Sequence, residues 1–133
     1  MARRCALRDL CDQMHGEIRD RRIIELLDQA FGEIPAQAIN PAEAYRHLVR
    51  GRTEKVPVSD MADRAAAVMV VPYPPGIPIL MPGERAGTAD GAVLRYLLAL
   101  EAFDARFPGF AHDIHGVERD EHGAFSIECL QHG

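Results

Sequence analysis

Apolar residues recur every three or four positions from Leu7 to Phe31: Leu7, Leu10, Cys11, Met14 and Ile18, then Ile23, Leu27, Ala30 and Phe31. This is the stripe of an amphipathic helix. Gly16 or the charged run from Arg19 to Arg22 is placed to divide it in two. Gly32 is placed to end it in a left-handed cap, where a residue without Cβ meets no steric penalty. Arg21 and Arg22, beside Asp20 and Glu25, read as a solvated helix face. A further helix is punctuated at both ends: Asn40 can cap it, Pro41 suits the first helical position, Glu43 can reach back as in a capping box, and Gly51 closes AEAYRHLVRG. Between them, IPAQAIN predicts a short strand. Ser59, with Val58 as staple, caps a short helical stretch, SDMADRAA.

The period then changes. AAVMVV is unbroken in apolar character and suits a strand buried on both faces, although periodicity alone also allows helix. Thr88 or Asp90 caps a long helix through Arg106, with Val93, Leu94, Leu97, Leu98 and Phe103 on its buried face. FPGF ends it, because the residue before a proline is pushed out of helical geometry. Near the C-terminus, Phe125, Ile127 and Cys129 alternate with Ala124, Ser126 and Glu128, and Val117 lies across the turn signal DEHG. That predicts a C-terminal β-hairpin. Helices and strands that do not alternate regularly indicate an α+β fold: several helices packed on a small mixed or antiparallel sheet.

One segment resists both periods. VVPYPPGIPILMPGE, Val70 to Glu84, holds five of the nine prolines and two glycines. Each proline removes a backbone donor and fixes φ, and Tyr73, Pro74 and Ile77 are pushed to extended geometry by the proline that follows each. A central, fully paired strand is excluded. What remains is an extended or edge segment that has already lost much of its unfolded-state entropy. It reads either as a stiff connector between VMVV and IPILM or as a rigid loop presenting Tyr73 and Glu84 to a ligand or partner.

Composition narrows the class. A chain of 133 residues most economically makes one domain, residues 1–133, and folding at this size buries roughly two-thirds of the surface the unfolded chain exposes. The net charge of -5 argues against a nucleic-acid or anionic-membrane surface. Cys5, Cys11 and Cys129 form neither a CxxC pair nor an even framework, which suits a reduced, cytoplasmic setting. MARRCALRDL meets Asp9 before any long apolar region, so it does not read as a signal peptide. The longest apolar run, Ala65 to Val71, is far short of the roughly 20 residues a membrane helix needs.

PYPPGIPILMPGE, followed by RYLLALEAFDARFPGFAHDIHG, resembles the C-terminal domain of the bacterial inducible ornithine/lysine/arginine decarboxylases. LLDQAFGEIPAQAINPAEAYRHLVRG before it and GAFSIECL after it extend the resemblance from about Leu10 to Leu130. The series PYPPGIP, PGE, PGF and DIHG is more specific than any one of its members. The resemblance implies fold-type I, pyridoxal-phosphate-dependent lyases that remove the α-carboxylate of a basic amino acid. Their C-terminal domain packs on the cofactor domain, helps shape the substrate entrance and contributes to assembly.

That cofactor needs a lysine for its Schiff base, an acidic partner for its ring nitrogen and groups for its phosphate. In the family the lysine lies in a Ser-x-His-Lys setting in the large domain. Fourteen of the fifteen basic residues here are arginine, and Lys55, in the polar stretch GRTEKVP, reads as a solvated surface residue. The expectation is a chain without the catalytic domain and without decarboxylase activity of its own, whose partner is a pyridoxal-phosphate-binding domain or subunit. A fragment, a separately encoded piece and a remnant reading frame stay open, as does homo-oligomerisation. The alternative is a free-standing amine-sensing or regulatory module that retains the fold. Tyr73 and Glu84 become candidates for the lining of a substrate entrance, and for Glu84 a structural hydrogen bond that fixes the loop is the equally weighted alternative. Among other constellations, His112, Asp113 and His115 form a weak metal-ligand set, with His122 across the turn, and a structural turn carrying surface histidines is the plainer reading. Cys129, at an inward strand position, reads as core rather than as a nucleophile.

Overall fold

The structure, a computed structural model, describes residues 6–73 and 75–131. Cys5 and Pro74 therefore lie outside the described residues. The amphipathic stripe folds as two helices, α1 (Leu7–Asp20) and α2 (Ile23–Gly32). They part at the charged run and not at Gly16. Arg22 takes φ 54°, an uncommon left-handed conformation for a residue with a Cβ, so Arg21 and Arg22 form a joint instead of a solvated helix face. Gly32 closes α2 without the expected left-handed cap. The chain leaves extended at Glu33, in keeping with Ile34 standing before Pro35.

Helix α3 (Pro41–Val49) begins where its signals placed it, with Asn40 Oδ1 accepting from the Glu43 N–H at 2.9 Å. The cap is one-sided, since the Glu43 carboxylate makes no return bond to Asn40. At the other end Gly51, φ 67°, completes a Schellman turn in which the Arg52 N–H donates to His47 O at 2.8 Å. SDMADRAA forms only one tight helical turn, Val58–Asp60, capped by Pro57 and not by Ser59. Its last two residues, Ala65 and Ala66, are drawn into sheet bridges instead. Helix α4 (Ala92–Arg106) starts from Gly91, with neither Thr88 nor Asp90 capping it, and ends at Phe107 before Pro108.

The strands are β1 (Thr53–Pro57), β2 (Val71–Tyr73), β3 (Asp113–His115), β4 (Val117–Arg119) and β5 (Phe125–Leu130). β1, β5 and β4 form an antiparallel sheet in that order, in which β4 and β5 are the expected C-terminal hairpin. β2 and β3 pair separately. β1 was hidden in the polar stretch GRTEKVP, because an edge strand needs to bury little and here buries only Val56. β3 was hidden in AHDIHG, read above as a turn.

Single backbone bridges extend the larger sheet. Past the end of β4, the Ala67 N–H donates to Glu128 O and the Leu130 N–H to Ala65 O. Ala65 in turn bridges to Arg85, and Glu84 to Gln37, so IPAQAIN supplies one bridge where a strand was expected. Helices α2 and α4 pack together over this layer, and Phe125, Ile127 and Cys129 point inward from β5 with Met61, Leu94, Leu97 and Leu100. Each large side chain so enclosed contributes about 1.5 to 3 kcal/mol.

Candidate functional site

The proline-rich segment is a closed excursion held at its base. The Val70 N–H donates to Leu80 O at 2.9 Å and the Ile79 N–H to Val70 O at 2.8 Å, so the chain leaves and returns at one point. Its outgoing arm is β2, with Pro72 buried opposite Ile114 of β3. A two-stranded ribbon tolerates this proline because only one edge has to donate. Beyond it the Gly76 N–H reaches back to Pro72 O at 2.8 Å, and Gly76, φ 82°, lies against the ring of Tyr73. Tyr73 (49% exposed), Ile77 (55%) and Met81 (38%) therefore stand out from a loop that cannot easily yield.

Glu84 closes the returning arm. Its Oε2 accepts from the Met81 N–H at 3.1 Å, while its own N–H donates to Met81 O at 3.0 Å. The carboxylate thus ties the PGE turn to itself, and its backbone donor is Met81 rather than the start of α4 eight residues on. Gly83 lies between two strands of backbone: its N–H donates to Ala66 O at 2.7 Å, and its carbonyl accepts from Ala38 and Ile39. A Cβ there would sit 2.1 Å from Ile39 O.

The histidine cluster divides. His112 turns inward, its backbone N–H and ring Nδ1 meeting Asp104 Oδ1 at 3.0 and 2.6 Å. Asp113 and His115 alternate with buried Ile114 on β3, and Asp113 is the cross-strand partner of Tyr73. His122 is exposed in the hairpin turn, where its N–H donates to Asp120. Among the described residues no three such side chains converge as a metal site.

Two buried carboxylates escaped the reading of the sequence. Asp104, on α4, also accepts from Arg119 at 2.9 Å and so fastens the helix to β4 and to the chain entering β3. Glu17 is covered by Arg21 and Arg106, which join α1 to the end of α4. The hydrogen bond from Arg21, with help from Arg106, holds the Glu17 carboxyl below its ordinary range against the opposing effect of burial. Both arginines are about half exposed, so the carboxylate lies near the surface under their side chains. A signal was available. Asp104 falls on the Val93, Leu97, Leu100 stripe and Glu17 on the Leu10, Met14 stripe, and a carboxylate on an apolar face needs partners.

Cys129 is fully buried, and burial pushes its thiol up to about 11, which suits core packing and not nucleophilic work. Lys55 lies exposed on β1, its ammonium paired with Glu118 across β5. The hydrogen bond and charge of Glu118 raise its pKa, which stabilises the protonated form. A Schiff-base lysine must be enclosed and give up its proton, so the residues present do not fit pyridoxal phosphate.

The Orn/Lys/Arg decarboxylase C-terminal domain family matches residues 24–131, from the start of α2 to just beyond β5. The chain belongs to this family. It is 42% identical over 128 residues to lysine decarboxylase LdcA of Pseudomonas aeruginosa, covering 94% of this chain and 17% of that protein. It is 40% identical over 126 residues to the inducible ornithine decarboxylase of Escherichia coli, covering 92% of this chain and again 17% of the relative. Among solved structures, lysine decarboxylase A from Pseudomonas aeruginosa superposes with a TM-score of 0.87 at 42% identity, covering 95% of this chain and 17% of that one. The Escherichia coli constitutive lysine decarboxylase gives 0.85 at 35% identity over 92% of this chain. The chain thus spans about a sixth of the length of these relatives.

Physical reasons now attach to the words that carried the resemblance. In PGE, Gly83 admits the Ile39 carbonyl; in DIHG, Gly116 (φ 87°) admits Met69 O, which a Cβ would approach to 2.2 Å. In FPGF, Pro108 sets the end of α4. Gly83 and Gly116 hold backbone to backbone beside the loop that carries Tyr73.

Proposed function

We propose that this chain is the non-catalytic C-terminal domain of a pyridoxal-phosphate-dependent decarboxylase of lysine, arginine or ornithine. Residues 1–133 act as one domain that packs on a cofactor-carrying domain or subunit and helps shape the substrate entrance or the assembly, in a cytoplasmic enzyme. No described helix is long and apolar enough to cross a membrane. The observation that carries the reading is the crest of Tyr73, Ile77 and Met81: apolar side chains held outward by a loop closed at Val70 and Leu80. Exposed apolar surface on a stiff support suits packing against another body. Tyr73 and the Asp113 beside it are the residues nearest to a role at a substrate entrance, and Glu84 serves by fixing the loop.

The test has two parts. The purified chain, mixed with pyridoxal phosphate and each of the three amino acids, is expected to release no carbon dioxide. Substituted for the corresponding segment of the Pseudomonas aeruginosa lysine decarboxylase, it is expected to give an active enzyme whose activity or assembly falls when Tyr73→Ser and Ile77→Asp are introduced together. Turnover by the chain alone, or a chimera indifferent to both changes, overturns the proposal.

A further inference from the structure

On a chain of net charge -5, one face is locally basic. Arg46, His47, Arg50 and Arg52, with Glu43, line an open cleft of about 210 Å³ at the end of α3. Three arginines and one glutamate thus share its lining. The Schellman turn builds this arrangement: Arg46 and Arg50 are one helical turn apart on the same face, and the bond from the Arg52 N–H to His47 O folds the chain back beside the helix. Gly51, φ 67°, with nothing within 4 Å of where a Cβ would stand, makes the reversal without strain.

Stability does not account for the cluster. A helix C-terminus favours a basic residue, but one or two satisfy it, and like charges one turn apart repel. Among the described residues none of these three arginines closes an ion pair with a carboxylate, which is also true of Arg8, Arg19, Arg22, Arg85 and Arg95; what sets the three apart is that they share one cleft. The free forks in the cleft are planar donors suited to bidentate contact with a tetrahedral oxyanion. The volume suits one phosphate group with a small attached moiety.

We propose that the cleft formed by Arg46, His47, Arg50 and Arg52 binds a phosphate dianion, free or as the ester of a small molecule. Inorganic phosphate and glycerol phosphate are titrated separately into the 133-residue chain at constant ionic strength, followed by calorimetry and by amide NMR shifts. Saturable binding is expected, with the largest shifts at Gly51 and Arg52. Arg50→Gln and Arg52→Gln, folded by circular dichroism, are each expected to weaken binding roughly tenfold, with Arg52→Lys intermediate. Arg95→Gln, on an exposed position of α4, is expected to change nothing. Tighter binding of glycerol phosphate identifies an esterified ligand, and equal or tighter binding of inorganic phosphate identifies the free ion. Shifts that never saturate, that chloride reproduces, or that survive both glutamine substitutions overturn the proposal.

Discussion

Replacing Gly83 with alanine tests the claim that the PGE turn works by close approach of backbones. Gly83 sits at φ +90°, where an alanine costs about 1 to 2 kcal/mol from backbone strain alone. The added Cβ would also stand 2.1 Å from Ile39 O and 3.0 Å from its carbonyl carbon. Neither atom can swing aside like a side chain. Relief requires the 36–39 segment to withdraw, which removes the bonds from the Ala38 and Ile39 N–H groups to Gly83 O, at 2.8 and 3.3 Å. At about 1 kcal/mol each, these bring the total to about 3 to 4 kcal/mol, a large share of the 5 to 15 kcal/mol typical of a folded domain. Gly87 is the internal control: its φ is +86°, but no atom lies within 4 Å of its Cβ position. Gly87→Ala is therefore expected to cost about 1 to 2 kcal/mol. Urea unfolding followed by circular dichroism, with unchanged m-values, reads both. If the two variants agree within about 1 kcal/mol, the close approach is irrelevant and the reasoning fails.

Three further outcomes follow from the buried groups. Asp104→Asn keeps the shape of the side chain but removes the charge that faces Arg119 and His112, and is expected to lower stability by about 2 kcal/mol in urea, partial exposure of both partners moderating the loss; an unchanged midpoint would remove Asp104 as the fastener of α4. The Glu17 carboxyl is held below its ordinary 4.5 by Arg21 and Arg106, so it contributes stability that is present above that pH and lost as pH falls through its lowered folded-state value. The stability difference between the native chain and Glu17→Gln should accordingly shrink on acidification below about pH 4.5, and a difference that grows there would contradict the pairing. Cys129, with its thiol pushed up to about 11, should resist a disulfide reagent at pH 8 in the folded chain and react only after unfolding, while exposed Cys11 reacts at once; mass spectrometry of the labelled peptides distinguishes them.

Much of the architecture was legible because it is written in local rules. The α3 start at Asn40 and Pro41, the end of α4 before Pro108 and the β4–β5 hairpin all follow from short-range sterics and hydrogen bonding. Misreadings fell where distant partners decide. Ala65 and Ala66 close the stretch read as helical but bridge to Arg85 and to Cys129 of β5, and β1 is a strand because β5 offers it an edge. Of the candidate residues, Tyr73 is exposed on the stiff loop, the Glu84 carboxylate makes the loop-fixing hydrogen bond that was its structural alternative, and His112 turns to Asp104, a partner that periodicity does not show.

The sequence by itself determined which segments could be helices, where the chain had to stiffen, and that Lys55 is its single lysine. Periodicity, proline geometry and composition are properties of neighbours along the chain, so no folding is needed to read them. Tertiary structure alone decided which arginines have partners, why Gly83 and Gly116 must lack a Cβ, and which face presents Tyr73, Ile77 and Met81. Gly83 meets Ile39, Gly116 meets Met69 and Arg106 meets Glu17 from distant parts of the chain, and no local rule fixes the distance between them.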